Sequence, residues 1–383
     1  MMEWVKLGDV CEIISGTTPS TNNPEYWNGD IKWITPAEID DNTKYVTDTA
    51  RKITQRGFHS SSLKLLPKNT VLLSSRAPIG KVAIAATEMC CNQGFKNFVC
   101  EDVLYHEYLY YYLKSKTDYL NSLGRGATFK EISKAIVEQI KIPLLPIKNQ
   151  IRIAETLDKV QGIIDARKKQ IEKFDEYIKS VFYTMFGDPV TNPMGWEIVK
   201  LEDLMEKVEK IDPTKFDFEF DYIDIASVSN KEKEIISFNR LESENAPSRA
   251  RQIVFANDIL VSTVRPNLNA VAVLKSDSER RIIASTGFCV IRLDGSKAHT
   301  RYVFEICKSP YFINTLVKLA KGVSYPAVTD GDIKSMKISL PPLTLQTQFA
   351  SIVEEAEAQK ELLNKSLSKM ETLFDCLMGQ YFS

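Results

Sequence analysis

Residues 140–157 read IKIPLLPIKNQIRIAETL, and residues 336–353 read MKISLPPLTLQTQFASIV. Pro146, Gln150 and Ala154 of the first stretch recur as Pro342, Gln346 and Ala350 of the second at one constant offset. The same offset carries Phe186 onto Phe382. A duplication on this scale predicts two similar units in one chain. Downstream of each stretch the apolar residues fall into heptad rows. The first set is Leu157, Ile164, Ile171, Ile178 and Met185, with Val160, Arg167, Phe174 and Val181 beside it. The second is Val353, Lys360, Leu367, Phe374 and Tyr381, with Ala356, Leu363, Met370 and Leu377. One charged residue interrupts each seam, which is the pattern of a coiled coil. Pro143, Pro146, Pro341 and Pro342 bar an earlier helix start, and Gly187-Asp188-Pro189 stops the first helix. Two helices of about 40 residues, each about 60 Å long, are expected to bury their seams on each other in antiparallel sense.

Working outward, the two halves open alike, WVKLGDV from Trp4 matching WEIVKLEDL from Trp196. Each then carries a run of strand, polar loop and strand: TVLLSSRAPIGKVAIAA from Thr70 and DILVSTVRPNLNAVAVL from Asp258. Gly-Phe turns follow, NQGF at 92–95 and STGF at 285–288. Helices are predicted at 105–115 and 300–309, then the glycine loops GRGAT at 124–128 and AKGVS at 320–324. The expected fold class is mixed α/β, with two globular domains at 1–146 and 187–342 and spacer helices at 147–186 and 343–383. The turn-rich segment GDPVTNPMGW, 187–196, is the expected linker between halves.

The 383 residues suffice for two ordinary cores, and 44% hydrophobic with 26% charged residues is a globular composition. No apolar run approaches the roughly 20 residues of a membrane helix, and no secretory signal is visible. Seven cysteines without CxxC spacing predict reduced thiols and a cytoplasmic location. A net charge of −1 argues against a simple electrostatic nucleic-acid binder, but the charge is uneven. Residues 245–301 hold nine Lys and Arg against four acids, and residues 64–96 hold five against Glu88 alone. No P-loop, GxGxxG, HExxH or Asn/Asp-Pro-Pro-aromatic sequence occurs. A zinc site from Cys90, Cys91 and His106 is disfavoured because adjacent cysteines are poor tetrahedral ligands, and a nuclease fragment from Asp332 and Lys334, with no second acid at a recognisable spacing, matches only near chance level. A duplicated architecture without a catalytic cluster favours a binding protein.

The order of motifs resembles the specificity subunit of a type I restriction–modification enzyme. The resemblance rests on LPIKNQI (145–151), LPPLTLQ (340–346), MFGDP (185–189), NPMGW (192–196), GTTP (16–19), PEYW (24–27), GDIKWI (29–34) and NQGF (92–95), and it covers nearly the whole chain. It implies two target recognition domains, each reading half of a split double-stranded DNA site, held apart by the helix pair. It also implies a chain without catalysis of its own and without a cofactor of its own. Two modification subunits would bring S-adenosylmethionine, and restriction subunits would bring ATP and Mg. The second half lacks GTTP and PEYW, having EKVEKIDPTKFDFEFDYIDIAS (206–227) instead, which implies an asymmetric site. Two rival readings are a recognition subunit of a related restriction system and an interaction scaffold that binds protein rather than DNA.

Candidate DNA-contacting residues follow from side-chain chemistry on the predicted loops. In the first half they are Thr17, Thr18, Lys32, Arg76, Lys81, Lys96, Arg125, Thr128 and Lys130. In the second they are Arg265, Asn267, Asn269, Arg280, Arg281, Lys321, Ser324 and Tyr325. Arginine forks onto guanine and asparagine onto adenine in the major groove, while hydroxyls and lysines hold phosphates. Trp27 and Trp33 are expected in the core.

Overall fold

The computed structural model describes residues 3–40, 42–76, 78–126, 130–275, 279–322 and 324–382. The chain divides into two compact units, Met1–Lys168 with Lys365–Ser383, and Lys169–Asn364. Each unit therefore contains one globular part, a portion of the helix Ile147–Phe186 and a portion of the helix Leu343–Phe382. Among the described residues no helix is long and apolar enough to cross a membrane.

The first unit is built on a five-stranded sheet. Its strand order is Cys11–Ser15, Phe95–Cys100, Val71–Ser74, Val82–Ala85 and Tyr45–Val46. The run TVLLSSRAPIGKVAIAA thus forms two antiparallel neighbours, Leu72 opposite Ala83. Both strands are buried throughout, so they read as continuous apolar runs rather than alternating ones. A smaller sheet of Arg51–Ile53, Trp27–Ile34 and Cys90–Cys91 carries the tryptophans. Trp27 and Trp33 are buried and meet edge to face at 5.0 Å, with the Arg51 guanidinium 3.7 Å from the Trp27 ring centre.

The second unit has a four-stranded sheet, Asn239–Glu242, Glu219–Ile223, Arg281–Ser285 and Ala250–Val254. A three-stranded one follows, Val271–Val273, Ile259–Ser262 and Phe288–Ile291. In both units the entry strand pairs with the strand that precedes the long helix. Trp4 lies opposite Pro143, and Ile198 opposite Ser339.

The repeated glutamine explains why the opening motif recurs. Gln150 is fully buried; its amide donates to Val103 O and Leu145 O and its Oε1 accepts from Tyr105 N. Gln346, equally buried, donates to Pro341 O and accepts from His299 N. Each glutamine fastens the first turn of a long helix to the start of the shorter helix that covers the sheet. The buried backbone groups it satisfies would otherwise be costly orphans.

Within each unit the two long helices run antiparallel. In the first, Ala154 and Leu157 share a core with Met378 and Phe382, while Lys168 pairs with Glu371 at 3.1 Å. Sequence number rises along one helix as it falls along the other. In the second, Phe186 meets Phe349 at 5.3 Å between ring centres, and Asp175 pairs with Lys360 at 2.7 Å. The lysine that interrupts the second seam is thus answered by an acid on the facing helix. Aromatic packing closes each unit: Phe382 lies against Tyr108 and Tyr112 in the first, and Phe182 stacks on Tyr302 in the second.

Candidate nucleic-acid interface

Three of the repeated sequence elements converge at one point in each unit. In the first unit Ser75 directly follows the strand Val71–Ser74. Its N–H donates to Gly94 O of the Gly-Phe turn at 2.7 Å, and its hydroxyl donates to the same oxygen at 3.2 Å. Its carbonyl accepts from Ile132 N at 2.9 Å, at the end of the glycine loop. In the second unit Thr263 does the same. Its N–H and hydroxyl both donate to Gly287 O at 2.9 Å, and Val328 N donates to its carbonyl at 2.9 Å. The glycine loops are closed by matching pairs of backbone bonds, between Arg125 and Glu131 and between Lys321 and Ala327. Both halves thus fold one junction of three loops from the segments that repeat in sequence.

GTTP joins this junction in the first unit only. Gly16 N donates to Phe95 O and Thr17 N to Cys91 O. A Cβ on Gly16 would sit 1.8 Å from Asn92 O, so no other residue permits this approach. Thr18 donates to Gln93 Oε1, and Thr17 O accepts from Trp33 Nε1 at 3.1 Å.

Around the first junction Arg125 and Lys130 are exposed and Arg76 is half-buried. Thr128 lies outside the described residues. Three candidate lysines are taken up by the fold. Lys96 is buried, with Nζ 3.2 Å from Glu131 and 3.3 Å from Ser75 Oγ, so it braces the junction from beneath. Lys81 donates to Pro36 O and Ile39 O. Lys32 donates to Thr47 O at 2.5 Å and to Thr87 Oγ1.

Around the second junction Arg265, Asn267, Lys321, Ser324 and Tyr325 are exposed, Tyr325 at 70%. The Arg265 guanidinium lies 4.8 Å from the Tyr325 ring centre, and Arg265 N donates to Pro326 O at 2.7 Å. Asn269 is buried and closes the turn in a left-handed conformation. Arg280 and Arg281 stand apart from this group. Arg281 begins, and Arg280 precedes, the strand whose far end, Ser285, leads into the junction. Arg280 pairs with Glu219 at 3.3 Å, and the Arg281 guanidinium packs 4.8 Å from the Phe218 ring centre.

The basic stretch 245–301 is largely neutralised by acids from elsewhere or within it. Arg251 pairs with Asp212, Lys275 with Glu234, Arg292 with buried Asp258 at 2.7 Å, and Arg301 with Glu357. Much of the stretch is therefore a set of internal ties, while Arg249 and Arg265 are among the cations that stay exposed. The metal and nuclease fragments find other uses. Burial pushes the Cys91 thiol up to about 12, and its sulfur accepts from Asn97 Nδ2. Asp332 caps the helix Asp330–Lys334. The Thr329 hydroxyl and N–H donate to its carboxylate and hold its pKa below the ordinary carboxylate value. Among the described residues no three His, Cys, Asp or Glu side chains gather as a metal site.

Two further side chains stand at the second junction whose place there residue type alone does not suggest. Leu268 is 45% exposed at the crest of the Arg265–Asn269 turn, and Lys233 reaches from a neighbouring hairpin to Asn269 O at 2.6 Å. The sequence signal for the first was a leucine inside Pro-Asn-Leu-Asn between two strand runs. Nothing local signals the second.

Comparison with known proteins places this geometry. The model of the type I restriction modification DNA specificity domain matches residues 1–173 and again 193–372. The MjaIX type I restriction enzyme specificity subunit of Methanocaldococcus jannaschii is 30% identical over 378 residues, covering 91% of this chain and 85% of the relative. The MjaVIII specificity subunit of the same organism is 25% identical, covering 97% and 91%. The fold is shared with the crystal structure of a type I restriction-modification S subunit from M. genitalium (TM-score 0.60, 15% identity, 100% of this chain and 96% of that one). It is shared as well with a chain from a study of complex assembly and conformational transition in the type I system (TM-score 0.62, 18% identity, 99% and 97%).

Proposed function

The chain belongs to the type I restriction–modification DNA specificity family, and from that membership we propose that its two tandem recognition domains read the two halves of an asymmetric, split DNA site. One observation carries the reading. The same three-loop junction occurs in both units, anchored at Ser75 and at Thr263, yet it presents different side chains to solvent: Arg125 and Lys130 in one, Arg265, Asn267 and Tyr325 in the other. A common scaffold with divergent tips suits two readers of unlike half-sites.

In this reading Arg76, Arg125 and Lys130 serve the first half-site, with Thr17, Thr18 and Thr128 as hydroxyl donors. Arg265, Asn267, Lys321, Ser324 and Tyr325 serve the second. Lys32, Lys81, Lys96 and Asn269 support these loops, and Arg280 and Arg281 reach only the flanking backbone. The long helices set the interval between half-sites and dock two modification subunits. Those subunits carry S-adenosylmethionine and methylate adenine, and restriction subunits add ATP- and Mg-dependent translocation. The chain itself performs no chemistry and acts in the cytoplasm.

Single-molecule methylation mapping of a strain carrying this chain, against its deletion, tests the reading. A two-part adenine-methylated sequence that disappears with the chain is the expected result. An identical methylation pattern in both strains overturns it.

A further inference from the structure

The turn Arg265–Asn269 is built unlike its counterpart in the first unit. Arg265 and Asn269 both adopt left-handed backbone, at φ 50° and 47°, on either side of the short helical turn Pro266–Leu268. Asparagine tolerates that region; arginine holds it only where the surroundings enforce it. Here they do. Arg265 N is tied to Pro326 O, Leu268 N donates to Arg265 O, and Asn269 N to Pro266 O. Ser262 Oγ donates to Val264 O, Pro266 is buried, and Lys233 Nζ grips Asn269 O from the adjoining hairpin. At the corresponding place in the first unit the aliphatic Ile79 is buried, Gly80 takes the positive φ, and Pro78 is the exposed residue.

All this bracing presents three side chains outward: the Arg265 guanidinium against Tyr325, the Asn267 amide, and Leu268. An isolated exposed leucine needs no explanation on an ordinary surface. A leucine held in a turn between two left-handed residues, Arg265 and Asn269, the first of which offers its guanidinium alongside, is different. In the major groove the apolar group presented by a base is the thymine C5 methyl, and guanine offers the paired acceptors that a guanidinium forks onto.

We infer that Leu268 is a specificity-determining residue that packs on a thymine methyl, at a position next to a guanine read by Arg265. The turn is a preformed reading head, ordered before DNA arrives, so little conformational freedom is lost on binding. The inference rests on the reading of this unit as a DNA-recognition domain and names the chemistry of one base step within it.

The full chain, copurified with its modification subunits, is used to select from duplex DNA with two randomised blocks separated by variable gaps. The selected duplex is then resynthesised with each thymine in turn replaced by deoxyuridine, which removes the methyl alone. One thymine is expected whose replacement weakens wild-type binding about fourfold, the effect of withdrawing one buried methyl group. The same replacement has no effect on Leu268→Ala and regains its effect in Leu268→Met. Arg265→Ala loses guanine preference at the adjacent position of the same half-site. An unchanged melting midpoint shows that the variants remain folded. Equal deoxyuridine effects in wild type and Leu268→Ala at every position overturn the inference, as do variants acting on different half-sites. A wild-type chain that selects no two-part sequence overturns the recognition reading itself, and the inference with it.

Discussion

Arg265 and Tyr325 meet across two loops far apart in sequence, the guanidinium 4.8 Å from the ring centre. The ring holds a charged fork in one orientation without neutralising it, which an acid in the same place would do. Tyr325→Ala is expected to weaken binding about two- to fivefold at the half-site of the second unit, the range of an exposed cation–π contact. Selection at the other half-site and the melting midpoint should not move. Equal losses at both half-sites, read by binding to duplexes altered in one half at a time, would remove Tyr325 from this role.

Lysines beneath a junction and arginines above it should separate by salt dependence. Lys96→Met removes a buried ammonium from Glu131 and Ser75, and should cost about 1–3 kcal/mol of stability in denaturant unfolding. It should leave the slope of log affinity against log salt unchanged. Arg125→Ala should do the reverse, reducing that slope by about one while unfolding as the wild type does.

The glutamine clamps predict a stability effect at the starts of the two long helices. Gln346→Ala strands His299 N and Pro341 O in the interior, at a cost of about 2–3 kcal/mol. Gln150→Ala leaves Tyr105 N, Val103 O and Leu145 O without partners and should cost at least as much. Chemical denaturation of each variant is the check, and a loss under 0.5 kcal/mol, on the order of a neutral surface change, would refute the role.

Acid should loosen the first unit at Asp158. Burial alone would raise this carboxyl, but the Lys44 ammonium and the Tyr111 hydroxyl outweigh it and hold its pKa below the ordinary value of 3.8. A carboxylate with a depressed folded pKa contributes its full stability above the unfolded pKa, and loses it as pH falls through the folded one. Thermal melting should therefore weaken below about pH 4, the ordinary carboxylate range. In Lys44→Met that acid-side dependence should be shallower, because the ammonium is the charge that stabilises the ionised form.

Much of this architecture was legible because it is written twice. The Pro-Gln-Ala spacing and the heptad rows mark two helices, the long domain that carries the chain back between them gives their antiparallel sense, and buried strand runs such as Val71–Ser74 announce themselves by continuous apolar character. The mixed α/β class and the two units follow. The binding face was less legible because charge in sequence is not charge in space. Lys81 and Lys96 look like solvent cations, yet their ammonium groups fill backbone and carboxylate sites set by residues far along the chain. Arg292 belongs to a basic stretch but is matched by Asp258 and Ile253 O. The left-handed pair at Arg265 and Asn269, which makes Leu268 prominent, depends on Lys233 and Pro326. No local pattern encodes that.

Phe382 is buried against Tyr108 and Tyr112, and Lys116 Nζ donates to its carbonyl at 2.7 Å. During synthesis the tyrosine helix His106–Ser115 leaves the ribosome early, yet the face it needs is translated only after all of Lys169–Asn364. The amino-terminal core must wait, partly uncovered, while the second unit is made. A nonsense codon before Phe374 would therefore strike hardest at the part of the molecule translated first.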